Sequence, residues 1–100
     1  MEYICNRLLV IGPKPLLKKF TRSHWEKILG AKHCELAENS PGRYISEFNT
    51  DEAPILEPLR KLSRRWPKLI FLLDWEWEDK GLKGVVNARA GLVESYRTEY

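Results

Sequence analysis

Hydrophobic positions along the first half of the chain switch between a strand period and a helix period. Residues 3–11 form an apolar, β-branched run that alternates as a strand and is ended by a Gly-Pro pair. From Pro15 to Leu29 apolar residues recur three or four positions apart, which predicts an amphipathic helix that stops at Gly30. Two short runs, 33–38 and 43–49, flank a Pro-Gly turn, so a β-hairpin follows the helix.

A second helix is predicted to begin at Thr50 or Asp51, whose side chains suit an N-cap, and to end at Trp66-Pro67. Pro58 conflicts with that start, because proline inside a helix removes a backbone hydrogen bond. Two alternatives follow from this conflict. Either the helix kinks at Pro58, or it begins later than the capping residues indicate.

Three strands are predicted after the second helix. Residues 69–77 give the strongest strand pattern in the chain, and a turn at Asp79-Lys80-Gly81 leads into a strand over 82–88. A further turn near Ala90-Gly91 folds 92–96 back as an edge strand.

The predicted order is therefore β-α-β-β-α-β with one or two strands appended. Two amphipathic helices separated by antiparallel strands bury their apolar stripes by packing on the same side of the sheet. We expect an α+β, ferredoxin-like domain over residues 1–100, with both helices on one face of the sheet and the other face uncovered.

Composition narrows the class of protein. The 100 residues suffice for one domain, and the 43% hydrophobic content is that of a globular chain. No apolar run approaches the ~20 residues of a membrane helix, and no signal-peptide pattern opens the chain, so we expect a cytoplasmic protein. Cys5 and Cys34 lack zinc-site spacing and are expected to be free thiols, with Cys5 acting as a small apolar residue in its strand.

Several short motifs resemble the YubB ferredoxin-like family of bacterial, plasmid and phage proteins. They are Asn6-Arg7-Leu8-x-Val10-x-Gly12-Pro13, Phe48-x-Thr50, Ala53-Pro54, Leu62-Ser63-x-x-Trp66-Pro67 and Trp75-Glu76-x-Glu78-x-x-Gly81-x-x-Gly84. The resemblance implies the ferredoxin-like fold and an origin in bacteria or their mobile elements. It implies no activity, cofactor or catalytic residue.

Charge is distributed unevenly along the chain, although its net value is only +3. Basic side chains occupy the polar faces of both predicted helices, which would lie side by side in this fold. Such a patch could bind nucleic-acid phosphates. Its residues are Lys18, Lys19, Arg22, Arg60, Lys61, Arg64 and Arg65.

Aromatic residues suggest a different surface. Tyr3, Tyr44, Trp75 and Trp77 are expected on the uncovered face of the sheet, where exposed aromatic groups are typical of protein interfaces. A protein partner, or a second copy paired through sheet faces or edge strands, would cover them. Alternatively the aromatic rings stack on bases, or the segment 92–100 folds over the face.

An acidic cluster is the first candidate for metal chemistry. Asp74, Glu76 and Glu78 alternate along one strand face and Asp79 follows, so their carboxylates could hold a hard cation such as Mg²⁺. The alternative is a charged strand end that protects a sheet edge.

No nucleophile motif or phosphate-binding loop is present in the sequence, and no cofactor is expected. The sequence therefore favours a non-enzymatic protein-interaction module. A nucleic-acid-binding accessory protein comes second, and a metal-dependent enzyme third.

Overall fold

The computed structural model describes residues 4–100 as a mixed α+β domain with a six-stranded sheet and three α-helices. Its elements, in chain order, are β1 (Ile4–Ile11), α1 (Lys14–Thr21), α2 (Trp25–Leu29), β2 (Lys32–Ser40), β3 (Arg43–Thr50), α3 (Leu56–Arg65), β4 (Ile70–Trp77), β5 (Leu82–Arg89) and β6 (Leu92–Glu99). A single 3₁₀ turn, Glu78–Lys80, joins β4 to β5.

The sheet is antiparallel throughout, with the strand order β2-β3-β1-β4-β5-β6. The first strand lies at its centre, with Leu8 opposite Ser46 of β3 and Leu73 of β4. The predicted hairpin β2–β3 and the predicted edge strand β6 are both confirmed. The alternative in which 92–100 folds over the sheet is wrong, because this segment extends the sheet sideways.

One face of the sheet carries the core and all three helices described within residues 4–100. Alternate residues of β1 are almost fully buried on this side, from Ile4 at 1% exposure to Val10 at 0%. Residues directly opposite each other in neighbouring strands share a face, so the buried set continues through Phe48, Phe71 and Val86. The helices supply Leu17, Phe20, Trp25, Leu29, Leu59 and Leu62 to the same core.

The predicted helix over Pro15–Leu29 is two helices. The first ends because Ser23 turns the chain: its backbone N–H and its hydroxyl both donate to the Phe20 carbonyl, at 2.9 and 2.6 Å. The break lets Trp25, at the start of α2, turn inward and stack on Phe20 with ring centroids 5.8 Å apart. The stop at Gly30 is confirmed, since this residue has the left-handed φ of 66°.

The third helix begins at Leu56, so the later of the two predicted starts is correct. Pro58 thereby falls in the first turn, where its missing N–H would have no partner within the helix. The expected N-cap at Thr50 or Asp51 is wrong. Thr50 instead accepts a 2.9 Å hydrogen bond from the Asn6 side chain and donates to the Glu52 carbonyl at 2.7 Å.

Within residues 4–100, no helix combines the length and apolar character needed to cross a membrane.

Candidate interaction surface

The second face of the sheet, here called the open face, is the side away from the helices. On β1 it carries Cys5, Arg7, Leu9 and Ile11, which alternate with the buried set. Aliphatic side chains from three central strands meet on this face and shield one another, so that all are half-buried or buried. They are Leu9, Ile11, Ile45, Ile70 and Leu72.

The expected aromatic surface is not on the open face. Trp75 lies opposite Asn6 and Tyr44 lies opposite Val10, so both point to the helix side, where they are 2% and 9% exposed. Tyr44 packs against Phe20 in the core, with ring centroids 6.2 Å apart. The sequence placed Trp75 and Trp77 together correctly but assigned them to the wrong side of the sheet.

Trp77 is half-buried and packs against the core, so it too is not an exposed ring on the open face. Tyr3 lies outside the described residues. The proposed base-stacking platform on Trp75, Trp77 and Tyr44 therefore loses its exposed rings.

Exposed apolar side chains concentrate instead at the last hairpin, here called the β5–β6 end. Of the five large hydrophobic residues exposed within residues 4–100, four lie there: Val85 at 40%, Leu92 at 78%, Tyr96 at 61% and Tyr100 at 60%. The fifth, Leu36, lies on the opposite edge strand at 61%. Sequence reasoning missed this surface, although the alternation along β6 predicts that Leu92 and Tyr96 share a face.

A shallow depression of about 520 Å³ adjoins this end of the open face, with Arg7, Asp74 and Lys83 among its lining residues. Tyr96 forms part of its wall. Arg7 makes a 3.5 Å ion pair with Glu47, and both side chains remain about half exposed, so the pair contributes little to stability. The depression therefore presents mixed charges beside an apolar rim.

Tyr100 lies across the same face. Its hydroxyl donates a 2.8 Å hydrogen bond to Glu76, two strands away, and the Lys83 ammonium lies 5.5 Å from its ring centroid. The hydrogen bond to the Glu76 carboxylate is the main reason that the pKa of Tyr100 rises to about 12.

The acidic cluster does not assemble as a metal site. Asp74 and Glu76 share the open face, whereas Glu78 and Asp79 belong to the 3₁₀ turn. Across residues 4–100, no group of three or more His, Cys, Asp or Glu side chains is positioned to hold a metal ion. The prediction that Glu78 continues the strand alternation is wrong, because the strand ends at Trp77.

The seven predicted phosphate-binding residues fall into two groups. Lys18, Lys19 and Arg22 lie on or just after α1, which packs over β3. The other four lie on α3, whose main neighbours are α2, β5 and β6. All are exposed except Arg60, which is half-buried and pairs with Glu57.

Both cysteines are exposed and free. The expectation that Cys5 behaves as a buried apolar residue is wrong, because its position in β1 faces the open side. Although the side chain is largely exposed, partial desolvation of its thiol, with a smaller contribution from the Glu26 carboxylate, raises the pKa of Cys34. Cys34 is therefore a poor nucleophile at neutral pH.

No protein-family model, curated protein or solved structure matches this chain.

Proposed function

We propose that the protein is a non-enzymatic interaction module that binds another protein chain through the β5–β6 end of its open face. The concentration of exposed apolar side chains at this end supports the proposal. Val85 and Tyr96 are direct cross-strand neighbours on that face, and Leu92 lies further along the same strand. Adjacent exposed apolar and tyrosine side chains are typical of surfaces that a partner covers.

The surroundings of this surface favour a protein partner. Arg7, Asp74, Glu76 and Lys83 border the apolar residues with charges of both signs. A polar rim around an apolar centre is the usual arrangement in protein interfaces. Carboxylates at Asp74 and Glu76 would repel a phosphate backbone.

Photocrosslinking in cells that express the protein tests this proposal. A benzophenone amino acid at Leu92 is expected to give a discrete adduct with a protein, identified by mass spectrometry. The matched control is the same substitution at Leu36, which is 61% exposed against 78% for Leu92 and lies on the opposite edge of the sheet. Absence of a discrete adduct at Leu92, or equal adducts at both positions, would contradict the proposal.

We also propose a ferredoxin-like arrangement for the domain. Strands β1 to β4, in the order β2-β3-β1-β4 with helices after β1 and after β3, support a ferredoxin-like βαββαβ unit to which the β5–β6 hairpin is appended.

Membership of the YubB ferredoxin-like family is likewise proposed, on the strength of its sequence motifs. Several motif residues hold the fold together: Asn6 bonds Thr50 in the core, and Ser63 accepts a 2.9 Å hydrogen bond from the Gly91 N–H. Gly84 leaves room for the Trp75 ring. We infer that these motifs are needed for the fold. This agrees with the family resemblance, which implies no activity.

A nucleic-acid-binding accessory protein is the second candidate. It is favoured by one observation: of the seven basic residues on and around α1 and α3, only Arg60 forms an ion pair within residues 4–100. Binding to a nucleic-acid duplex should then weaken steeply as salt rises, because phosphate contacts release counterions. Gel-shift titrations at increasing salt measure this, with Lys61→Glu/Arg65→Glu as the weakened variant. No binding at low salt would exclude this candidate.

A further inference from the structure

The two edges of the sheet differ in regularity. The edge strand β2 shifts register twice, between Lys32 and Glu35 and between Leu36 and Glu38, and His33 has a positive φ of 54°. Such irregularity prevents another strand from pairing with an edge. The other edge strand, β6, pairs with β5 over eight consecutive residues without a shift. Among the strands described within residues 4–100, only β6 therefore offers a regular free edge.

The direction of the backbone groups on β6 follows from one hydrogen bond. The Tyr100 N–H donates to the Gly81 carbonyl at 2.8 Å, so Tyr100 directs its backbone toward β5. In an antiparallel pair this direction alternates at every residue. Thr98 and Tyr96 therefore also bond toward β5, whereas Arg97 and Glu99 present their N–H and C=O groups to the free edge.

The sequence of this free edge is self-complementary. Residues 96–100 read Tyr-Arg-Thr-Glu-Tyr, so an antiparallel copy centred on Thr98 places Arg97 opposite Glu99 and Tyr96 opposite Tyr100. Directly opposite residues of unlike charge stabilise paired strands, whereas the Tyr100 ring reaches toward Glu76 and away from the free edge. We propose that β6 pairs with β6 of a second copy about a twofold axis at Thr98.

The backbone directions fit this register. Arg97 and Glu99 are the residues whose backbone N–H and C=O groups face the free edge. Arg97 of each copy would exchange two backbone hydrogen bonds with Glu99 of the other copy, which makes four hydrogen bonds in total. Thr98 would meet Thr98 in the non-hydrogen-bonded position, where side chains approach most closely. The open faces of the two copies would then form one continuous surface.

Other registers are less favourable. Directly opposite residues of two antiparallel strands have their side chains on the same face of the sheet. A twofold axis perpendicular to the sheet must therefore lie midway between the two copies of one β6 residue. Centring the pair on Glu94, Arg97 or Glu99 opposes two like charges at the axis. Centring it on Ser95 or Tyr96 gives no oppositely charged pair directly across the interface. Only the register centred on Thr98 gives two oppositely charged pairs directly across the interface.

This inference goes beyond the proposed function, because pairing through the edge of β6 at residues 96–100 leaves Leu92 and the open face free to bind another protein. The paired segment is short, so we expect a dimer that dissociates on dilution. Sedimentation velocity over a wide range of protein concentration measures the association. The wild type is expected to change from monomer to dimer as concentration rises, and a strict monomer throughout would overturn the inference.

Charge variants test the register. Arg97→Glu and Glu99→Arg each convert both cross-strand pairs to like charges, and should weaken association by about tenfold or more. The double variant Arg97→Glu/Glu99→Arg restores opposite charges and should restore the dimer. Glu94→Arg lies outside the paired segment and serves as the control, and circular dichroism checks that each variant is folded.

The outcomes separate the two proposals. If the double variant fails to restore association while remaining folded, the Thr98-centred pairing is wrong. A monomeric wild type that still forms an adduct with a different protein at Leu92 would overturn self-pairing and leave the proposed function supported. A monomer with no adduct would contradict both.

Discussion

At the scale of single residues, Gly84 determines how Trp75 packs. A Cβ atom at Gly84 would lie 2.7 Å from the Trp75 Nε1 and 2.5 Å from the backbone carbonyl oxygen of Tyr96. The second contact is with backbone of β6, which cannot move aside without disturbing the β5–β6 ladder. This position is therefore closed to any side chain, although its φ is not in the left-handed region.

Gly84→Ala is accordingly expected to destabilise the protein by about 1–3 kcal/mol, the range for overpacking a well-packed site. Urea unfolding followed by tryptophan fluorescence measures the change. Asn87→Ala is the matched control, because Asn87 lies on the same strand with its side chain exposed on the open face. Equal stability of Gly84→Ala and wild type would show that the β5–β6 ladder adjusts freely.

The hydrogen bond between Tyr100 and Glu76 predicts a pH dependence. The phenol of an unfolded chain ionises near pH 10, whereas this one has a pKa of about 12. The raised pKa means that the contact stabilises the folded protein fully below about pH 10 and is lost as the pH rises through 12. Glu76→Gln should therefore lower the pKa of Tyr100.

Ultraviolet titration at the phenolate band measures this shift, with the Tyr100 signal isolated by subtracting the titration curve of Tyr100→Phe. The control is Glu94→Gln, which removes the carboxylate that accepts a 3.3 Å hydrogen bond from Tyr96 instead. A Tyr100 pKa unchanged by Glu76→Gln would show that the 2.8 Å contact does not persist in solution.

At the scale of elements, Ser63 links α3 to the last hairpin. Its buried hydroxyl donates to the Arg60 carbonyl at 2.9 Å and accepts from the Gly91 N–H at 2.9 Å. Ser63→Ala leaves the Gly91 N–H without this partner, and we expect a loss of about 1–3 kcal/mol. Chemical denaturation measures the loss, and Ser95→Ala, an exposed serine on β6, is the control. A loss no larger than that of Ser95→Ala would refute the role of this hydrogen bond.

The sequence predicted the elements well, because strand and helix periods are local properties. All six strands were expected, and the Gly30 stop follows from backbone freedom alone. The break before Trp25 was missed, since the apolar spacing continues across it and only the Ser23 turn interrupts the helix.

The candidate surface could not be derived in the same way. Alternation placed Trp75 and Trp77 together, but which side of the sheet the helices cover depends on how distant strands pair. The register decides it: Trp75 opposite Asn6 and Leu73 opposite Leu8 put both on the core side. Most side chains of β6 are exposed because this strand lies at the edge of the sheet. The position of a strand in the sheet is likewise set by the assembled topology, not by the local sequence.

At the scale of the whole molecule, the sheet separates a helix-covered core from the open face. The helix side holds a single core in which Phe20 contacts Trp25, Tyr44, Trp66 and Phe71 with ring centroids no more than 6.2 Å apart. These rings come from α1, from α2, from the residue after α3 and from the strands β3 and β4. The open face carries no helix within residues 4–100, and its β5–β6 end is the surface that we propose binds a partner.

The last hairpin belongs to the same cooperative unit, because Val86 and Ala88 of β5 are 0% and 2% exposed against the core. We therefore expect one unfolding transition, with coincident urea midpoints from tryptophan fluorescence, which reports the helix-side core, and far-ultraviolet circular dichroism, which reports the backbone. The measurement belongs at low protein concentration, where β6 pairing between copies would not add stability. Separate midpoints would mean that the hairpin detaches before the core unfolds, and the surface that we propose for binding would then form only in part of the population.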